Sequence, residues 1–253
     1  MTKTVAKLSI SEHKRVNDDH FILTLKKDGV FPEIKPGQFV NVLVEDTDVF
    51  LRRPFSIHDA DTKQQSFSLL IKAVGKGTKS LQSKKVGDTL DVLFPLGNGY
   101  SLQENNKVLL VGGGFGIAPL YYLAKQLKDK VEDIHLLVGA RSAKHILLTE
   151  KFDGLATVHI TTEDESLGEK GYVTNHSILE DDFDKIYTCG PHPMTKALAL
   201  YALNREISCE VSLENMMACG YGVCLCCVAE TKTHENVTTC LQGPVFNAKE
   251  LQW

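Results

Sequence analysis

Five of the chain's seven cysteines fall after Ser212. Four of them, Cys219, Cys224, Cys227 and Cys240, read C-x4-C-x2-C followed by twelve residues and a fourth cysteine. Thiolates are soft ligands for iron, four of them complete tetrahedral coordination at two irons, and the first three fall at the intervals of a [2Fe–2S] loop. The glycines of Gly220-Tyr221-Gly222-Val223 let the backbone between the first two cysteines curl and turn its N–H groups inward. A structural zinc site is the alternative reading, but zinc knots usually pair two cysteine knuckles, and the second pair is missing here. Cys226 would point away from Cys227 in an extended segment and is read as a non-ligand, and Cys209, in an apparent strand 208–213, as a small buried residue. From residue 214 onward no clear period is visible, so a metal is expected to order the segment.

The rest of the chain falls into two patterns. Stretches 5–10, 21–25, 39–44 and 67–74 are rich in β-branched and aromatic residues, with Pro36-Gly37 and Gly87-Asp88 as turn formers between them. Short strands at this spacing predict an antiparallel barrel or sandwich. An apolar strand at 107–111 then runs into Gly112-Gly113-Gly114-Phe115-Gly116. Helices at 117–127 and 194–204 and strands at 134–138, 157–161 and 185–188 follow, which predicts a parallel, Rossmann-like nucleotide-binding sheet. The expected divisions are 1–100 (β-barrel), 101–213 (α/β) and 214–253 (cysteine segment).

With 43% hydrophobic and 24% charged residues a buried core is readily built. A net charge of -4 argues against nucleic acid as the main partner. The first ten residues hold no apolar h-region, and no apolar run reaches the ~18–20 residues of a membrane span, so a soluble, cytoplasmic protein is expected.

Two local motifs suit a dinucleotide. Arg53-Pro54-Phe55-Ser56 offers a guanidinium to a pyrophosphate and a serine to a flavin N5, and Lys72-Ala73-Val74-Gly75-Lys76-Gly77-Thr78 leads into a short helix whose N-terminus offers donors. Each has a plainer reading, Arg53 as a surface charge and Gly77-Thr78 as a helix cap. Gly114-x-Gly116-x-x-Pro119 falls short of the Rossmann G-x-G-x-x-G, although its glycines would admit backbone to nucleotide phosphates. Cys189, in Tyr187-Thr188-Cys189-Gly190-Pro191, reads equally as a group near a hydride path or as a buried strand-end thiol. Arg141-Ser142 suits either a 2′-phosphate or a solvated loop.

Taken in order, these motifs resemble the ferredoxin–NADP reductase superfamily, with Phe55 where many members carry Tyr. With the block from Cys219 to Cys227, essentially the whole chain resembles the electron-transfer subunits of NAD-dependent (class 1B) dihydroorotate dehydrogenases. The resemblance implies FAD on Arg53, Pro54, Phe55, Ser56, Leu70, Ile71, Lys72, Gly77 and Thr78. It implies NAD on Gly114, Gly116, Cys189 and Gly190, with Cys189 beside the hydride path, and one [2Fe–2S] cluster on the four cysteines. It also implies a separate FMN-containing, dihydroorotate-oxidising partner, assembled as a heterotetramer for pyrimidine biosynthesis. The cysteine segment, with Met216, Met217 and Tyr221, is the expected docking surface, the plainer reading being that Met216 and Met217 pack against the chain's own barrel. The alternative, the small subunit of an NADH-dependent ferredoxin:NADP oxidoreductase or sulfide dehydrogenase, would be favoured by a non-cysteine ligand.

Overall fold

The computed structural model describes residues 3–45 and 48–253. Its first six strands are β1 (Thr4–Arg15), β2 (His20–Lys26), β3 (Phe39–Val42), β4 (Arg53–Asp61), β5 (Ser66–Lys72) and β6 (Thr89–Leu96). They close into a barrel in the order β1-β2-β5-β4-β3-β6, every pairing antiparallel. Phe21, Leu23 and Leu25 of β2, with Phe67, Leu69 and Ile71 of β5, show the two-residue period that fills the barrel interior. Helix α1 (Lys76–Ser83) lies between β5 and β6.

A second unit follows: β7 (Asn105–Gly113), a tight turn (Gly114–Ile117), α2 (Ala118–Leu127), β8 (Val131–Ala140), β9 (Thr157–Thr162), β10 (Glu169–Lys170), β11 (Lys185–Cys189), α3 (His192–Asn204) and β12 (Ser208–Ser212). The strands pair in parallel in the order β10-β9-β8-β7-β11-β12. One face carries α2 and the other α3, each over its own apolar core.

Ile22 and Leu70 of the barrel belong to the same buried core as α2. Around it, Tyr122 Oη donates to the Ile34 carbonyl at 3.1 Å, His58 Nδ1 donates to the Ala118 carbonyl at 2.8 Å, and Lys125 pairs with Asp59 at 2.7 Å.

Two expectations need correction. The 53–61 stretch, which carries the Arg53-to-Ser56 motif and lies outside the expected strand stretches, is itself a barrel strand, and 89–96 is another. The cysteine segment also carries regular structure. It contains a hairpin of β13 (Val228–Glu230) and β14 (Asn236–Thr238), and its β15 (Val245–Asn247) adds antiparallel to β12 as a seventh strand of the nucleotide sheet. Among the described residues no helix is long and apolar enough to cross a membrane.

Candidate functional site

The register of β4 creates the first part of the site. Residues Arg53 to Ser56 pair with β3, whereas β4 meets β5 only from Ile57 onward. β5 continues to Lys72 against β2 alone. The two strands therefore splay apart between Ser56 and Leu70, and backbone groups on the facing edges of 53–56 and 70–72 are left without ladder partners. A planar, hydrogen-bonding ring system such as a flavin fits such a gap, because the unladdered N–H and C=O groups can bond to it.

At one end of the gap stands α1. A side chain on buried Gly77 would begin 3.7 Å from Arg53 Nε, an ordinary contact distance, so the guanidinium lies against the start of the helix. Arg53 also donates to the Leu51 carbonyl at 2.9 Å. Thr78 is committed locally, its Oγ1 accepting from the Val74 and Gly75 amides at 2.9 and 3.1 Å, which matches its plainer reading as a cap. Leu70 and Ile71 bury their side chains in the two cores, so only their backbone can meet a cofactor.

The second part is a cleft of about 720 Å³ between the barrel and the nucleotide sheet, lined by Gly113, Gly114, Phe115, Arg141, Tyr172 and Met194 among others. Lys72 and His20 reach it from the barrel, so Lys72 lies at the nucleotide cleft. His20 stacks on Phe115 with ring centroids 5.8 Å apart.

Gly114, with φ of +52° and open space where a side chain would begin, faces this cleft. Gly116 does not line it. A side chain there would start 2.0 Å from the Cys189 carbonyl oxygen, so Gly116 serves the packing of the turn against the end of β11. Gly190, at φ +154°, is likewise confined by Met194 and Gly113.

Cys189 ends β11 fully buried and is not among the lining residues. Burial, then the nearby Glu214 charge, pushes its thiol well up, against a hydrogen bond with Ser212 that lowers it. Glu214 escaped the sequence reading. Although the residue as a whole is exposed, desolvation of its carboxyl pushes it up. Phe115 and Tyr172 were missed as well, because nothing in their local spacing marks them as cleft residues.

The four cysteines of the third part form two pairs. Cys219 lies in hydrogen-bonding contact with Cys224, and Cys227 with Cys240. Around Cys219, burial opposes ionisation, but the amides of Tyr221, Cys224 and Val223 and the Cys224 thiol bring the group down to about 6. The Tyr221 amide donates to Cys219 Sγ at 3.3 Å. Burial and the Cys227 thiol push Cys240 up to about 11, with the Gly222 amide working the other way. The glycine-permitted loop thus directs N–H groups at both pairs, as sulfur-rich anionic groups require.

No three or more His, Cys, Asp or Glu side chains among the described residues converge on a single metal position. Two separate thiol pairs suit a binuclear group better than one zinc ion. Cys226 is exposed in a turn, not a strand, while Cys227 is buried. The inner pair packs with Phe39, Leu93 and Leu96 of the barrel, and Met217 joins them, whereas Met216 is 82% exposed.

Comparison with known proteins agrees with each part. Family models match residues 7–100 (oxidoreductase FAD-binding domain), 110–199 (oxidoreductase NAD-binding domain) and 214–252 (iron–sulfur cluster binding domain of dihydroorotate dehydrogenase B). The chain is 39% identical over 251 residues to the dihydroorotate dehydrogenase B (NAD(+)) electron transfer subunit of Caldanaerobacter subterraneus subsp. tengcongensis, covering 97% of each chain. Identity to the Bacillus pumilus subunit of the same name is 40% over 254 residues, again covering 97% of each. Among solved structures, an NADH-dependent reduced ferredoxin-NADP oxidoreductase superposes with a TM-score of 0.87 at 33% identity, over 98% of this chain and 90% of that one. The ferredoxin reductase of carbazole 1,9a-dioxygenase, at 20% identity and a TM-score of 0.70 over 82% and 67%, shares the fold.

Proposed function

Because the chain belongs to the electron transfer subunits of NAD-dependent dihydroorotate dehydrogenase B, we propose that it carries electrons from an FMN-containing, dihydroorotate-oxidising subunit, by way of a [2Fe–2S] cluster and FAD, to NAD+. The observation that carries this reading is the position of β3. On one side it pairs Phe39 with Ser56 of the flavin motif, and on the other Phe39 packs against Cys227 and Cys240. One strand separates the two cofactor positions.

Cys219 with Cys224 would hold one iron, and Cys227 with Cys240 the other. When bound, the cluster supplies single-electron capacity, and FAD joins single-electron steps to a two-electron hydride transfer. The chain's own residues do the rest. Arg53 neutralises the flavin pyrophosphate, and the splayed edges of β4 and β5 hold the ring by backbone contacts. Gly114 and Phe115 bring the nicotinamide nucleotide to the cleft, and Cys189 and Glu214 stand at the strand ends behind it. The divisions 1–100, 101–213 and 214–253 then correspond to flavin, nucleotide and cluster units.

The outer cysteine pair is surrounded by exposed Met216, Tyr221, Val223, Leu225 and Leu241. Exposed apolar groups in one place mark an interface, and we assign this patch to the catalytic subunit in a cytoplasmic heterotetramer. The alternative ferredoxin:NADP assignment has the 33% identical structure in its favour, but the four cysteine ligands and the dihydroorotate dehydrogenase relatives favour the present one.

The test is reconstitution. The isolated chain should carry about two irons and two sulfides and reduce dyes with NADH, but should not turn over dihydroorotate. Adding the catalytic subunit should restore dihydroorotate-dependent NAD+ reduction, and Tyr221→Glu should weaken assembly with both cofactor spectra intact. Stoichiometric zinc without iron, or dihydroorotate oxidation by this chain alone, would refute the assignment.

A further inference from the structure

β3 places Val40 and Val42 in the barrel core and turns Phe39 and Asn41 outward, onto the cysteine segment. Asn41 stands opposite Pro54 in the ladder, so its backbone belongs to the flavin-motif side of the barrel. Its carboxamide meets the turn on either side of Cys219. Nδ2 lies 3.7 Å from the Met217 sulfur, and a side chain on Gly220, which sits at φ +69°, would come within 2.7 Å of the same nitrogen. Leu93 and Leu96 of β6 close in around Gly220.

Asn41 is fully buried, yet its Oδ1 has no hydrogen-bond partner, and the acceptor for its Nδ2 is a thioether, a weak one. Asn41, Thr188 and Thr239 hold the only such unpartnered buried side-chain oxygens or nitrogens among the described residues. A buried amide with so little to bond is costly where an aliphatic side chain of the same size would fit. Donors placed outside the ligands of a metal group tune its potential, because each favours the more negative redox state.

We propose that Asn41 is a positioning residue for electron transfer, its carboxamide N–H donating toward the iron–sulfur group at the Cys219 turn and holding that group's reduction potential up. The proposal rests on the four-cysteine ligand set above.

The test uses the full chain with FAD and cluster, as the parent, Asn41→Leu and Asn41→Asp. Iron, sulfide and FAD content are measured first, then both potentials by redox titration followed by electron paramagnetic resonance and flavin absorbance. Asn41→Leu should keep its iron and FAD, and its reduced-to-oxidised ratio at a fixed potential should fall about tenfold, which is 59 mV for one electron. Asn41→Asp, of the same shape but anionic, should fall further, and the flavin potential should stay at the parental value in both. Iron-loaded variants titrating at the parental cluster potential would overturn the proposal. So would loss of iron from both, because the proposal assigns Asn41 to tuning and not to retention. An iron-free parent would instead overturn the ligand set.

Discussion

Arg53 and Gly77 meet although 24 residues separate them, and the contact shows what each contributes. The guanidinium lies against the start of an eight-residue helix, at ordinary contact distance from Gly77. Replacing Arg53 with Ala removes a charge-assisted contact of roughly 1.5–3 kcal/mol. FAD affinity should fall ~10- to 100-fold in equilibrium dialysis of the variant. Gly116 leads to a different expectation from the one its motif suggests. Gly116→Ala would place a carbon 2.0 Å from the Cys189 carbonyl, so it should destabilise the fold by roughly 1–3 kcal/mol through overpacking. Urea unfolding would show this as a lower midpoint, whether or not nucleotide is present. The iron–sulfur binding segment was legible from cysteine spacing, because ligand geometry imposes sequence intervals. Phe115 and Tyr172 were not, because the fold brings them to the cleft and the neighbouring sequence carries no mark of it.

Strands β4 and β6 escaped the sequence reading for a physical reason. Each carries a proline, Pro54 or Pro95, and β4 interleaves charged and polar residues with its apolar ones. Proline cannot donate to a ladder, so such stretches read as turns. In the fold, β4 changes partner along its length, and its proline lies in the half that faces the gap. The strands with plain apolar patterns, such as β7, and both long helices were legible within a few residues. If the gap between β4 and β5 holds the flavin ring, FAD should slow amide exchange at 55–56 and 70–72, while protection of β1 changes little. Equal exchange in these segments with and without FAD would place the ring elsewhere.

The barrel and the nucleotide sheet are joined through a histidine that must stay neutral. His58 Nδ1 donates to the Ala118 carbonyl, and its Nε2 accepts from Lys151 at 3.5 Å. Desolvation, chiefly, lowers the group to about 4, with the Lys151 charge adding to the effect and the Ala118 hydrogen bond opposing it. A depressed histidine binds its proton more readily in the unfolded chain. Its contribution is therefore complete above pH ~6.5 and is lost as pH falls toward 4, on the order of 3 kcal/mol in all. His58→Gln should flatten the acid limb of a stability–pH profile between those values. An unchanged slope would show that other groups carry it. At the opposite edge of the sheet, Ser212 and Val245 are direct ladder partners, and the Leu213 amide donates to the Pro244 carbonyl at 2.9 Å. The cysteine segment therefore leaves and re-enters the sheet at one point, like a detour whose two ends share a doorway. It could be excised and a two-residue hairpin turn set in its place, at the cost of uncovering Phe39, Leu93 and Leu96. With those three made polar, what remains should be a yellow reductase, exchanging hydride with NADH and cut off from the electrons of the catalytic subunit.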